Sequence, residues 1–199
     1  RIRLCLSPEP LELLSRYPYP EGVTRTRESL PVQVDRELAG FSAWYELFPR
    51  SCTDDPARHG TFKDCEELLP DIARMGFDVV YLPPVHPIGV TDRKGQDNTP
   101  LPGPGDPGSP WAIGVSKGGH RAVHPELGGM EALQRFIARA GEHGLEVALD
   151  LAFQCSKDHP YIAEHPDWFH WRPDGSIQFA ENPPKKYQDV VPLNFETPD

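Results

Sequence analysis

The chain has 199 residues, with 20 Lys plus Arg against 30 Asp plus Glu and a formal charge of −10. That is the wrong sign for tracking nucleic-acid phosphates, so any anion it binds must be captured by a local cluster. No apolar run approaches the ~20 residues of a membrane helix, and no charged-then-apolar leader opens the sequence, which points to a soluble protein.

The 24 prolines and 17 glycines crowd into Ser7–Pro31, Pro100–Gly119 and Pro166–Pro184, leaving the periodic segments nearly clean. These stretches read as loops between ordered elements. Residues 1–40, with Tyr17-Pro18-Tyr19-Pro20, read as the end of a preceding module and a linker. A start at Arg1 and an end at Thr197-Pro198-Asp199 lead us to expect a piece of something longer. Phe41 to Phe48 is the first expected strand. Gly60-Thr61 then precedes Phe62, Cys65, Leu68, Leu69, Ile72 and Met75 at spacings of three and four, with Thr61 and Asp64 as an N-cap pair. This predicts an amphipathic helix that Pro70 kinks or restarts and Gly76 ends. Phe77 to Leu82 is a short β-rich run stopped by Pro83-Pro84. Leu133, Phe136, Ile137 and Ala140 mark a second helix from about Met130 to His143, and after Gly144 the run Leu145 to Leu151 predicts a third strand. Alternation of this kind argues a parallel sheet with helices outside, and in such sheets ligands gather in the loops after the strands. Three loops therefore matter: Pro49-Arg50-Ser51, the long excursion from Val85 to His124, and everything after Gln154. An excursion of roughly forty residues is far beyond a usual connection and is functional or disordered; its aromatics and glycines favour the former.

Within the last loop, Ala180-Glu181-Asn182-Pro183-Pro184-Lys185-Lys186-Tyr187-Gln188-Asp189 sets an amide, two ammonium groups, a phenol and two carboxylates around a proline pair. Proline removes backbone freedom, so donors projecting from this corner are preorganised. Lys185 and Lys186 can give charge-assisted hydrogen bonds to a phosphate, while Asn182 and Tyr187 supply neutral directional ones. The same decapeptide also reads as a solvated Pro-Lys turn.

Thr61-Phe62-Lys63-Asp64 through Leu82-Pro83-Pro84-Val85-His86-Pro87, then His124-Pro125-Glu126-Leu127-Gly128 and Leu149-Asp150-Leu151, resemble the opening of the α-amylase clan barrel. The resemblance implies an α/β fold, the start of a (β/α)8 TIM barrel of α-amylase type, with residues 41–152 supplying its first three strands and 153–199 a long irregular insertion after strand 3. Asp150 takes the place of the strand-end aspartate of the clan's first conserved region. Where ordinary amylases then carry Asn-His, this chain has Gln154-Cys155. With Arg93-Lys94-Gly95, Gly108 to Gly114 and Glu181 to Asp189, that departure resembles one branch, the bacterial maltose-1-phosphate maltosyltransferases.

That resemblance implies transfer of maltosyl from α-maltose 1-phosphate to the non-reducing end of an α-1,4-glucan, with retention, and with inorganic phosphate as the other partner. Sugar contacts fall on Lys94, Gln154 and Asp189, and phosphate contacts on Asn182, Lys185 and Tyr187. A homodimer is a further implication; no cofactor is expected, and a cytoplasmic location is expected from the cysteines. Retention needs a carboxylate nucleophile and a carboxylic acid about 5 Å apart. The clan places these on later strands, so no catalytic residue is expected in this segment, which alone is expected to be inactive.

Asp150 and His86 are secondary candidates, each equally readable as structural, and Trp111 is the aromatic most suited to stack on a sugar face. His124 reads like His86. His159, His165 and His170 lack the i, i+4 pairing of a zincin and read as surface histidines, so no metal is expected. Gly114 to Gly119, with Ser116 and Lys117, lacks the G-K-[ST] ending of a phosphate loop. Cys5, Cys52, Cys65 and Cys155 show no C-x-x-C pair and read as reduced cytoplasmic thiols. Two other classes stay open: a clan hydrolase or branching enzyme, and a non-catalytic glucan-binding relative.

Overall fold

The computed structural model describes residues 8–17, 27–29, 31–55, 58–114 and 118–196. Cys5, Pro18 to Pro20 and Ser116-Lys117 lie outside them. The chain divides into two units, Arg1–Arg36 and Glu37–Asp199. In the described part of the first lies helix α1 (Pro8–Arg16). The second begins with a short α2 (Glu37–Gly40), residues that the sequence reading placed in the linker.

In the second unit β1 (Trp44–Glu46), β2 (Val79–Leu82) and β3 (Glu146–Leu149) form a parallel sheet in the order β1-β2-β3. The register sets Tyr45 beside Val80 and Val80 beside Val147. Each strand is shorter than its apolar run. At the start of β1 the Asp78 carboxylate, rather than a strand carbonyl, takes the Ala43 N–H at 2.7 Å. Beyond its end, Pro49 opens a 3-10 turn, Pro49–Ser51.

The expected helix after β1 is two helices, α3 (Phe62–Glu66) and α4 (Leu69–Arg74). Thr61 and Asp64 form a full capping box, with the Thr61 N–H donating to Asp64 Oδ2 at 2.7 Å. Pro70 has no N–H to continue a helix but fits the first turn of a new one, so the chain restarts at α4. Gly76, at φ +88°, ends it in a conformation that costs other residues more. The second crossover carries α5 (Gly129–Glu142). Phe62, Leu69 and Ile72 from the first crossover meet Leu133 and Phe136 from the second over Val80 and Leu82 of the sheet, all buried. The Phe62 and Phe136 rings lie 5.9 Å apart, and Arg135 Nε donates to Glu66 Oε1 at 2.8 Å, joining α5 to α3.

The segment after β3 carries more regular structure than a long irregular insertion would. β4 (Gln154–Cys155) pairs antiparallel with β7 (Val191–Pro192), and β5 (Ala180–Asn182) with β6 (Lys185–Tyr187). Between them stands α6 (Pro160–Glu164), and Cys155, Phe169 and Val191 form a small core of their own with Tyr161 and Trp168 against it. No helix among the described residues is long and apolar enough to cross a membrane.

Candidate functional site

The β5–β6 hairpin sorts the decapeptide by face. Its register pairs Ala180 with Tyr187, Glu181 with Lys186 and Asn182 with Lys185. Side chains alternate along a strand and directly opposed residues share a face, so Asn182, Lys185 and Tyr187 stand on one side and Lys186 on the other. The anion site read from the sequence thus keeps an amide, one ammonium group and a phenol, and loses Lys186. The hairpin corner is the Pro183-Pro184 pair. Asn182 and Lys185 are exposed beside it, so their donors face water rather than a paired carboxylate.

A cavity of about 470 Å³ gathers four of the expected residues, Trp111, Gln154, Tyr187 and Asp189. Tyr187 belongs to both features and so links the cavity to the hairpin that carries Asn182 and Lys185. Asn98, Ser109 and Glu181 also line it, and the sequence reading assigned none of these a role. Glu181 was legible as one of the decapeptide's carboxylates. Asn98 and Ser109 sit in the excursion after β2; Ser109 falls within the Gly108 to Gly114 stretch, and no motif marks Asn98.

Asp189 is the most telling lining residue. It is 2% exposed, and its Oδ2 has no hydrogen-bond partner. Burial raises its pKa, against opposing effects of its own backbone N–H and of the Lys94 charge. A buried acceptor left unmade is costly, and a donor entering the cavity, such as a sugar hydroxyl, relieves that cost. Lys94 is not among the cavity's lining residues. It is 6% exposed, and its Nζ donates to Gln188 Oε1, next to Asp189.

Trp111 is fixed by Asp150. Its Nε1–H donates to Asp150 Oδ2 at 2.9 Å, and the Phe48 ring meets it edge-on at 6.2 Å. Burial, and after it the Asp150 carboxylate, raise the pKa of Tyr81. Asp150 therefore stands behind the cavity wall and orients the aromatic that lines it. His86 is half-buried, its Nδ1 2.8 Å from the Ala122 carbonyl, and burial lowers its pKa. His124 accepts from the Glu126 N–H to cap the turn Pro125–Leu127, and burial with the nearby Arg50 lowers it to about 4. Neither histidine lines the cavity.

One expectation fails outright. His159 is buried, not a surface residue, at 3% exposure. Its Nδ1 caps α6 by accepting from the Tyr161 N–H, and its ring packs 4.3 Å from that of Tyr161. His165 and His170 are half-buried, and His165 stacks on Trp168 at 3.9 Å. An alternating pattern of polar and aromatic residues gave no sign of this second small core.

A three-stranded parallel sheet crossed by helices, with the cavity in the loops after its strands, defines the opening of an α-amylase-type barrel. An α-amylase from Lactobacillus plantarum superposes with a TM-score of 0.60 at 30% identity, over 77% of this chain and 32% of that one. A maltogenic α-amylase from Thermotoga neapolitana gives 0.55 at 25% identity, over 79% and 33%. Sequence comparison finds relatives named α-1,4-glucan:maltose-1-phosphate maltosyltransferase. Proteins so named match at 56% identity over 198 residues in Chlorobaculum tepidum and at 58% over 198 residues in Salinibacter ruber. A third, in Pseudomonas aeruginosa, matches at 56% over 195 residues. The chain is covered to 97–100% in these matches and spans about 30% of the length of the relatives. The resemblance to the maltosyltransferases carried by the residues thus extends along the whole chain. No protein-family model matches it.

Proposed function

We propose that the full-length protein transfers maltosyl from α-maltose 1-phosphate to the non-reducing end of an α-1,4-glucan, with retention, and that this segment binds the donor. The carrying observation is the hairpin register, which puts Asn182, Lys185 and Tyr187 on one face adjoining the Asp189 cavity. In this reading the phosphoryl group meets the Lys185 ammonium, the Asn182 amide and the Tyr187 hydroxyl. The sugar rings enter the cavity, where Trp111 offers an apolar face, Gln154 its amide and Asp189 an acceptor for hydroxyl hydrogens. Lys94 acts through Gln188 and Asp189.

Phosphate leaves more readily than a sugar alkoxide, so the segment's share of the chemistry is to hold the leaving group and exclude competing orientations. The two carboxylates of a retaining mechanism are assigned to the remainder of the full-length protein. Residues 1–40 as the end of a preceding module and a linker, 41–152 as the first part of the barrel and 153–199 as an insertion after strand 3, together with a homodimer, belong to the same proposal. Cys52, Cys65 and Cys155 are free thiols, which supports a reducing, cytoplasmic setting.

The test gives the full-length protein inorganic phosphate and a maltose-bearing α-1,4-glucan. Formation of maltose 1-phosphate, followed by its phosphorus resonance, supports the proposal. Release of free maltose alone marks a hydrolase, and no product with retained glucan binding marks a non-catalytic relative.

A further inference from the structure

The excursion after β2 and the segment after β3 are latched together by a histidine pair outside the cavity. The Tyr161 N–H donates to His159 Nδ1 at 3.1 Å, so that nitrogen bears no hydrogen and Nε2 does. His159 Nε2 faces His120 Nδ1 at 3.2 Å and is therefore the donor. His120 Nδ1 then accepts, and its Nε2–H donates to the Ala152 carbonyl at 2.9 Å. A single pair of neutral tautomers satisfies all three contacts, because a hydrogen on His120 Nδ1 would face the one on His159 Nε2.

The packing around the pair is specific. A Cβ on Gly119 would lie 2.1 Å from His159 Nε2, so the excursion must carry glycine there to admit the ring. The Tyr161 ring lies parallel to that of His120, within 5° and 6.1 Å away, and the His86 ring is 5.6 Å from it. Ala152, where the chain of bonds ends, is itself buried midway between Asp150 and Gln154.

The geometry points to His120 and His159 as positioning residues for the sugar cavity, acting through the Ala152 carbonyl on the loop that carries Asp150 at one end and Gln154 at the other. Asp150 orients Trp111 and Gln154 lines the cavity, so a shift at Ala152 reaches two walls of the site at once. Burial and the neighbouring His120 hold His159 at a pKa of about 4, which keeps it neutral in the physiological range. The inference rests on the cavity being the sugar site of the proposed function.

The test uses the full-length protein and the variant His159→Asn. Asparagine can still cap α6 by accepting from Tyr161 N–H, but its short side chain gives no donor to His120. The KM for maltose 1-phosphate and the Kd for maltose are expected to rise about five- to tenfold while kcat changes less than about twofold, the pattern of a displaced binding wall. A folded His159→Asn protein with both constants unchanged overturns the inference. His120→Gln, whose amide offers both an acceptor and a donor, is expected to keep more maltose affinity than His120→Leu; equal losses overturn it as well. Neutron diffraction on the unaltered protein should place hydrogen on Nε2 of both rings, and hydrogen on His120 Nδ1 contradicts it. Wild-type protein that binds maltose but makes no maltose 1-phosphate sinks the transferase reading alone, and the variant affinities for maltose still decide this one. Wild-type protein that binds no maltose sinks both.

Discussion

Two carboxylates show how differently the barrel layer and the cleft are built. Asp64, at the start of α3, accepts from the Thr61 N–H and hydroxyl at 2.7 Å each and from both terminal nitrogens of Arg58 at 2.9 and 2.8 Å. Those bonds, the Arg58 one first, hold its pKa far below the usual carboxylate range. Asp189, in the cleft, is buried with an oxygen unmatched, and burial pushes its pKa up. A satisfied acid stabilises the fold; an orphaned one weakens it. The same contrast runs through the two regions. The sheet and its helices are joined by apolar burial that needs no partner, whereas the cleft is assembled from single polar contacts and leaves donors and acceptors open.

The largest effect that separates the regions belongs to the core. Phe62→Ala empties a fully buried site between the sheet and α5 and should cost about 3–5 kcal/mol in stability, read by denaturant unfolding of the full-length protein. In the cleft, Lys185→Ala should leave the unfolding midpoint unmoved and weaken maltose 1-phosphate by about 1.5–3 kcal/mol, the scale of a charged hydrogen bond, with maltose affinity unchanged in calorimetry. Equal loss of both ligands would make Lys185 structural and erase the distinction between hairpin face and cavity.

Asp189→Asn sharpens the comparison because it should act with opposite signs on fold and function. The folded pKa lies above the unfolded value of 3.8, so the group costs no stability below that value and costs increasingly more as pH rises through its folded pKa. Asparagine should therefore raise the thermal midpoint at neutral pH while lowering maltose affinity; a lower midpoint means Oδ2 has a partner after all. Asp64 runs the other way. Its contribution is present above the unfolded value of 3.8 and disappears as pH falls through its depressed folded pKa, so Asp64→Asn should flatten the acid limb of unfolding. Smallest of all, Thr61→Ala removes half of the capping box and should cost about 1 kcal/mol with no change in ligand affinity.

Much of the barrel layer could be read from the residues because local rules and burial agree there. The spacing of Phe62, Cys65, Leu69 and Ile72, the Thr61 cap, the restart at Pro70 and the stop at Gly76 each point the same way, and the structure follows all four. Strand ends were overrun because Ala43 and Asp78 close the ladder with a side chain, a contact across 35 residues that no periodicity encodes. In the cleft, residue types announced the chemistry and not the geometry. Resemblance pointed to Gln154, Tyr187 and Asp189, and the cavity brings them together; that Lys186 stands on the opposite hairpin face from Lys185 follows only from the register. His159 was misread because the partner that demands its burial, His120, lies 39 residues away on another loop.

The most direct test of the central claim is a crystal structure of the full-length protein with maltose 1-phosphate bound. We predict phosphoryl oxygens at about 2.7–3.0 Å from Lys185 Nζ, the Asn182 amide and the Tyr187 hydroxyl, with a sugar hydroxyl donating to Asp189 Oδ2. A phosphoryl group seated away from the Pro183-Pro184 corner, with Lys185 still facing solvent, would contradict it.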